Sequence, residues 1–177
     1  MIATVFDTET TGLIINPARK LDAQPEIISI AIQSVNLMTE ELDELHYCVF
    51  KPHKSISQEI TKITGFTDLF VKDSPHIIEQ IDSVIEKLEE AKLLIGQNVT
   101  FDMNMINLEC KRYDKEIKWP KTIDLVENSI FIKGYRLSLT NLHKELFGTD
   151  FAGAHDATVD VRITIKCAIE MFKRGWL

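Results

Sequence analysis

No stretch of this chain is apolar for long enough to span a bilayer, and its N-terminus lacks the basic-then-apolar pattern of a signal sequence. Neither membrane insertion nor export is expected, and a cytoplasmic location is. Cysteine is scarce. Cys48, Cys110 and Cys167 are odd in number, far apart and set in apolar or helical contexts. That pattern excludes a disulfide framework and a zinc motif and leaves reduced structural thiols. Positive charge is lacking too: 20 Lys and Arg face 27 Asp and Glu, a formal net charge of −7. A large basic surface for duplex nucleic acid is thereby disfavoured. A grip on a few nucleotides, or local positive charge borrowed from bound metal, remains open. Repeats, low-complexity tracts and linkers are missing as well. The 177 residues suffice for one domain with a full core, so residues 1–177 are read as a single domain.

What is present is a pattern of strands followed by helices. Ile2–Phe6 reads as a buried strand and residues 13–25, with Pro17 and Pro25, as a loop. Glu26–Val35 and Leu45–Phe50 read as two more strands, and their short connections predict an antiparallel meander. Ser57 to Ile63 is a short helix closed by Gly65. Ser74-Pro75 marks a further helix start, whose apolar stripe is Ile77, Ile81, Val84, Ile85 and Leu88. Lys92–Gly96 is a short buried strand of the parallel type. Helices are then expected from about Asn98 to Tyr113, over 122–132, over 138–147, and from His155 to about Lys173. The last of these buries Ala157, Val161, Ile165, Ala168 and Phe172. The expected architecture is α/β: a mixed sheet, antiparallel in its first half, with helices on its faces.

Three stretches carry candidate chemistry. In Val5-Phe6-Asp7-Thr8-Glu9-Thr10-Thr11-Gly12-Leu13, the period of a strand sends Asp7 and Glu9 to one side. Two such acids repel unless a cation sits between them, and hard divalent ions take oxygen ligands. In Gly96-Gln97-Asn98-Val99-Thr100-Phe101-Asp102, a buried strand ends and a helix begins. Asn98 and Asp102 fall on one helical face. Two readings fit there: a capping Asn98 with a first-turn Asp102 favoured by the dipole, or a functional pair. In His155-Asp156-Ala157-Thr158-Val159-Asp160, Asp156 is the expected cap, while His155 and Asp160 gain meaning only beside the earlier acids.

Taken in order, Asp7-Thr8-Glu9-Thr10-Thr11-Gly12, Asn98 to Asp102 and His155 to Asp160 resemble the three exonuclease motifs of the DEDD superfamily. The histidine five residues before the last aspartate matches its DEDDh (DnaQ-like) branch. The resemblance covers nearly the whole chain. It implies a ribonuclease H-like fold with a five-stranded mixed sheet. It also implies a catalytic set of Asp7, Glu9, Asp102, His155 and Asp160, in which the four acids bind two divalent ions, Mg²⁺ or Mn²⁺. On that resemblance Asp7 would bridge the ions, Glu9 and Asp160 would hold the one carrying the nucleophile, and Asp102 would hold the second. Two ions about 4 Å apart can flank a scissile phosphate, which is why four acids are needed. His155 would be the general base, since imidazole titrates near neutrality. Thr10 matches a position contacting the terminal 3′-hydroxyl, Leu13 one packing on the terminal base, and Asn98 and Phe101 positions lining the strand-binding cleft. Gln97 departs from the histidine of many relatives, and the loop from Leu13 to Pro25 is longer than common.

The resemblance therefore implies a metal-dependent 3′–5′ exonuclease that releases nucleoside 5′-monophosphates from single-stranded ends. DNA is favoured, because the first motif is closer to the proofreading members, and a DNA polymerase or a replication or repair complex is the implied partner. The alternatives are a 3′–5′ exoribonuclease, a silent polymerase-associated binding module, and a structural protein with a chance acidic cluster. Backbone-neutralising charge is available at Lys111, Arg112, Lys115, Lys133 and Arg136. His46, His53, His76 and His143 show no partner pattern. The sequence stops shortly after its last helix, so the expected protein acts alone, as a homo-oligomer, or as a subunit joined through its folded surface.

Overall fold

Alternation along the first strand sets the two-sided plan. Strand β1 (Ile2–Thr10) sends Ala3 and Val5 to one face and Phe6 to the other, and each side builds its own core. β2 (Ile27–Asn36) pairs antiparallel with β1, and β3 (His46–Val49) antiparallel with β2. β4 (Leu94–Gly96) runs parallel to β1 on its other side, and β5 (Thr122–Asp124) parallel to β4, giving the order β3-β2-β1-β4-β5. The helices are α1 (Gln58–Thr64), α2 (Ile81–Glu89), α3 (Val99–Arg112), α4 (Leu125–Lys133), α5 (Leu139–Phe147) and α6 (Ala157–Lys173). This computed structural model describes residues 1–15 and 20–177. Part of the expected 13–25 loop, including Pro17, lies outside the described residues.

One core packs Ala3, Val5, Ala31 and Val35 against Leu142 of α5 and Val161, Ile165, Ala168 and Met171 of α6. The other packs Phe6, Ile30 and Ile32 against Ile81, Val84 and Leu88 of α2 and Met105 and Ile106 of α3. Each large side chain buried this way stabilises by roughly 1.5–3 kcal/mol. The expected α6 stripe is buried at Ala157, Val161, Ile165 and Ala168; Phe172 is only half-buried, and Met171 takes the fully buried place. Cap residues behave as their chemistry dictates. Ser57 accepts from the Ile60 N–H at 3.2 Å, Ser138 from the Asn141 N–H at 3.3 Å, and Asp156 from the Thr158 N–H at 2.9 Å. Gly65 closes α1 in the left-handed region at φ 77°. All three cysteines are free thiols, Cys110 and Cys167 of them buried.

The mixed sheet with an antiparallel first half is as expected, and four local readings need correction. β1 continues past Phe6 to Thr10, so Asp7 and Glu9 lie inside the strand. Thr122–Asp124 is the fifth strand, not the start of a helix; three residues are too few to show a period. Ser74-Pro75 does not open α2. The Pro75 carbonyl accepts the Lys51 N–H at 2.9 Å, tying this segment to the end of β3, and a 3₁₀ turn at Ile77–Glu79 precedes α2. Asn98 does not cap α3 with its side chain; it stands in the left-handed region at φ 59° and ψ 37°.

Candidate active site

The site forms where β1 overruns its neighbour. β4 pairs only with Thr4 and Val5, so the C-terminal half of β1 has an open edge on that side. The start of α3 fills it. Asp102, in the first turn of α3, accepts the Thr8 N–H at 2.9 Å and the Thr8 hydroxyl at 2.6 Å, both on Oδ1. A ladder donor without a strand partner is thereby satisfied by a carboxylate, and that carboxylate is fixed beside the strand.

On the opposite face of β1, Asp7 and Glu9 continue the row of Ala3 and Val5 towards α6. There Asp160 meets them: Asp7, Glu9 and Asp160 offer carboxylate oxygens all within 4.8 Å of one another. Asp102 is not a member of that group. Its charge nonetheless reaches both Asp7 and Glu9. Asp156 caps α6 and fixes its start, and the His155 N–H donates to Asp160 Oδ2 at 3.0 Å. His155 is exposed and adopts φ 69°, in the left-handed region. Its positive character works to lower the Asp160 pKa.

Electrostatically the cluster is incomplete. Burial raises Asp7 well above the carboxylate range, and the repulsion of Asp102, Asp160 and Glu9 adds to it. Glu9 is pushed up to about 8 by burial and then by Asp160 and Asp102. Asp102 is raised to about 7 by burial, against the two hydrogen bonds from Thr8. Asp160 is also raised, by burial first, and its Oδ1 is a buried acceptor without a hydrogen-bond partner. Four crowded acids, one with an orphan oxygen and none paired with Lys or Arg among the described residues, make an all-oxygen donor set that fits a hard divalent cation.

Other expected contacts fall as follows. Thr10 is buried, and its hydroxyl donates to the Gly12 carbonyl at 2.8 Å, which leaves its oxygen as an acceptor. Leu13 projects into solvent with 81% of its surface exposed. Phe101 is half-buried against the core on the α3 face. Gln97 donates to the Leu137 carbonyl at 2.8 Å, so this departure serves packing. Four of the five cations named for the backbone lie in ion pairs. Arg112 pairs with the buried Glu109 at 2.7 Å, Lys115 with Asp82 at 2.7 Å, Lys133 with Glu145 at 3.0 Å and Arg136 with Glu127 at 2.8 Å. His143 is buried, its Nδ1 2.8 Å from the Thr149 carbonyl oxygen.

Three residues outside the readings of single motifs also touch the site. Thr8 clamps Asp102 from the face of β1 opposite Asp7 and Glu9, a contact that strand alternation does not announce. Asp124 accepts the Asn98 N–H at 2.9 Å, and its charge helps to raise Asp102. Tyr47 on β3 lies on the row Asp7, Ala31, Tyr47, and its phenol is raised by burial, with Asp156 and Glu9 adding to it. No spacing in the sequence links either of the last two to the motifs.

A five-stranded mixed sheet with an acidic, cation-fitting cluster at the open edge of its central strand defines a class of α/β domains built to hold hard cations. Comparison makes that specific. The family model described as an exonuclease (RNase T) matches residues 4–168, and the chain belongs to that family. The DNA polymerase III PolC-type protein of Bacillus cereus is 28% identical over 165 residues, which cover 84% of this chain and 11% of that protein. The DNA polymerase III subunit epsilon of Aquifex aeolicus is 25% identical over 174 residues, covering 97% of this chain and 81% of that one. Among solved structures, the nuclease domain of 3′hExo, a DEDDh family member bound to rAMP, superposes with a TM-score of 0.79. It has 18% identity and covers 98% of this chain and 92% of its own. The fold is thus the ribonuclease H-like one of the DEDDh exonucleases. Exonucleases of this kind generally use divalent metals. No helix among the described residues is long and apolar enough to cross a membrane.

Proposed function

We propose that residues 1–177 form one 3′–5′ exonuclease domain that releases nucleoside 5′-monophosphates from single-stranded 3′ ends, with DNA as the preferred polymer. The observation that carries this reading is the convergence of Asp7, Glu9 and Asp160 within 4.8 Å, with Asp102 behind them and His155 at the rim. The family's exonuclease chemistry and the polymerase III names of two relatives support it. Asp7, Glu9, Asp102 and Asp160 would hold two divalent ions, Mg²⁺ or Mn²⁺. When bound, such ions supply the positive charge that stabilises the phosphodiester oxygens in the transition state.

The chain's own groups do the rest. The His155 imidazole, exposed and adjacent to Asp160, accepts the proton of the attacking water. Holding the His155 N–H on Asp160 fixes the distance between base and acids. Thr10 presents an acceptor oxygen to the terminal 3′-hydroxyl, and exposed Leu13 offers an apolar surface to the terminal base. Asn98 and Phe101 flank the entry of the strand at the start of α3. A site that reads a free hydroxyl in this way selects ends over internal bonds. The partner in the cell would be a polymerase or a replication or repair assembly.

The test is a time course on 5′-labelled single-stranded DNA and RNA of one sequence, with Mn²⁺, beside Asp7→Ala. Stepwise shortening by the wild type, faster on DNA, with Asp7→Ala slower by at least about 10³-fold, is the expected result. Faster shortening of the RNA would instead make the domain an exoribonuclease. No shortening of either polymer, with metal still bound, would point to a binding module.

A further inference from the structure

Asp102 owes its place to the point at which α3 begins, and that point is a strained turn. β4 ends at Gly96, where a Cβ would come 2.7 Å from the Val99 Cβ, closer than real side chains approach. Asn98 then adopts φ 59°, a conformation uncommon outside glycine even though asparagine tolerates it best. Its side chain makes no cap bond with α3. Its N–H is held from outside, by Asp124 Oδ1 at 2.9 Å, and the same oxygen accepts the Val126 N–H at 2.9 Å. Asp124 sits at the end of β5 opposite Gly96, so one carboxylate oxygen joins the ends of two parallel strands and the starts of two helices. An ordinary cap needs only the Val126 bond. The bond to Asn98 is additional, and it falls four residues before Asp102.

We propose that Asp124 is a positioning residue for the nuclease reaction. By holding the Asn98 turn it sets the first turn of α3, so that Asp102 meets Thr8 with one oxygen and turns the other to the acidic cluster. It touches no reacting atom. This rests on the exonuclease reading above. Partners of this kind, one step behind the acids that bind metal, change affinity or activity by about 10–100-fold when removed.

Three variants separate the roles of this side chain. Asp124→Asn keeps an oxygen for both N–H groups and removes the charge. Asp124→Ala removes both bonds. Asp124→Ser can still cap α4, but its hydroxyl is one bond shorter and stops short of Asn98. Wild type and variants are compared for kcat, for KM on a single-stranded oligonucleotide, and for half-saturating Mn²⁺. Amide hydrogen exchange at Asn98 is followed in the metal-free protein. The expected result is a fall in kcat of about 10-fold or more in the Ala and Ser variants, KM within about 2-fold, a rise in half-saturating Mn²⁺, and faster exchange at Asn98. Asp124→Asn should recover kcat to within about 3-fold. Should Asp124→Ala fail to fold, the capped Ser variant carries the test alone. Full kcat in Asp124→Ser, or an Asn variant as impaired as Ser, overturns the proposal. An inactive wild type would overturn the exonuclease reading instead, and protected exchange at Asn98 in Asp124→Ser would overturn the proposal without any activity.

Discussion

At the scale of single residues, the acids of the site oppose folding as long as no cation joins them. Glu9 and Asp102 rise from ordinary values of 4.5 and 3.8 to about 8 and about 7, so the folded chain binds their protons more tightly than the unfolded chain does. The stability linked to them is therefore complete below about pH 4 and is lost as pH rises through about 7 and about 8. Chelator-treated protein should show a melting temperature that falls from pH 5 to pH 8. Millimolar Mg²⁺ or Mn²⁺ should flatten or reverse that slope, because binding releases the same protons. A metal-free melting temperature that stays level over this range would mean that the acids are solvated and the site differently built. Glu9→Gln tests the same balance from the other side. At pH 8 without metal it should raise the melting temperature by roughly 2–8 °C while removing activity, since a buried repulsive charge is gone along with a ligand.

At the scale of elements, α3 is pinned by carboxylates near both of its ends, Asp102 on Thr8 and Glu109 on Ile27. Its C-terminal end carries Glu109, 1% exposed, whose Oε1 accepts the Ile27 N–H at 3.0 Å and pairs with Arg112. The Arg112 Nη2 donates to the carbonyls of Leu21, Gln24 and Pro25, at 3.3, 3.1 and 2.7 Å. The returning end of the loop between the first motif and β2 is thus clipped to α3. Arg112→Ala should destabilise by about 3–5 kcal/mol in urea titration, because it strands a buried carboxylate, and Glu109→Gln with Arg112→Met should recover part of that. A loss under about 1 kcal/mol would make the pair an ordinary surface one. Arg112, named in the sequence only as charge for a substrate backbone, is taken up by this loop, because periodicity assigns a face and says nothing of what a distant loop brings to it. Where a signal is local, the sequence was legible: Asp156 caps its helix as read. The meeting of Asp160 with Asp7 and Glu9 was legible only through the order of the three motifs. Where the partner comes from another strand, the sequence was not legible. Asn98 looked like a cap because nothing nearby shows that Asp124 holds its N–H, and Thr122–Asp124 was too short to declare itself a strand.

At the scale of the whole molecule, the balance of charge decides how substrate can be held. The chain carries −7 overall, and four of the five cations that might have lined a backbone groove are neutralised by acids of the same chain. Attraction for a polyanion must then come mainly from metal at the acidic cluster, through the one or two phosphates nearest the terminus. Counterion release on a single strand gives a slope of about −0.7 per phosphate neutralised, so log KM against log of monovalent salt should have a magnitude no steeper than about 1.4. Steady-state assays from 50 to 200 mM salt (roughly the range over which such slopes are read), at fixed saturating Mn²⁺, measure this. A slope of about 3 or more would reveal a basic track along the strand and overturn this reading. The shallow slope has a consequence for action: a domain with so little grip along the strand releases it after few cleavages. A trap of unlabelled single strand, added once cleavage has begun, should therefore stop the shortening of labelled strands within a few nucleotides unless a polymerase partner holds the substrate in place.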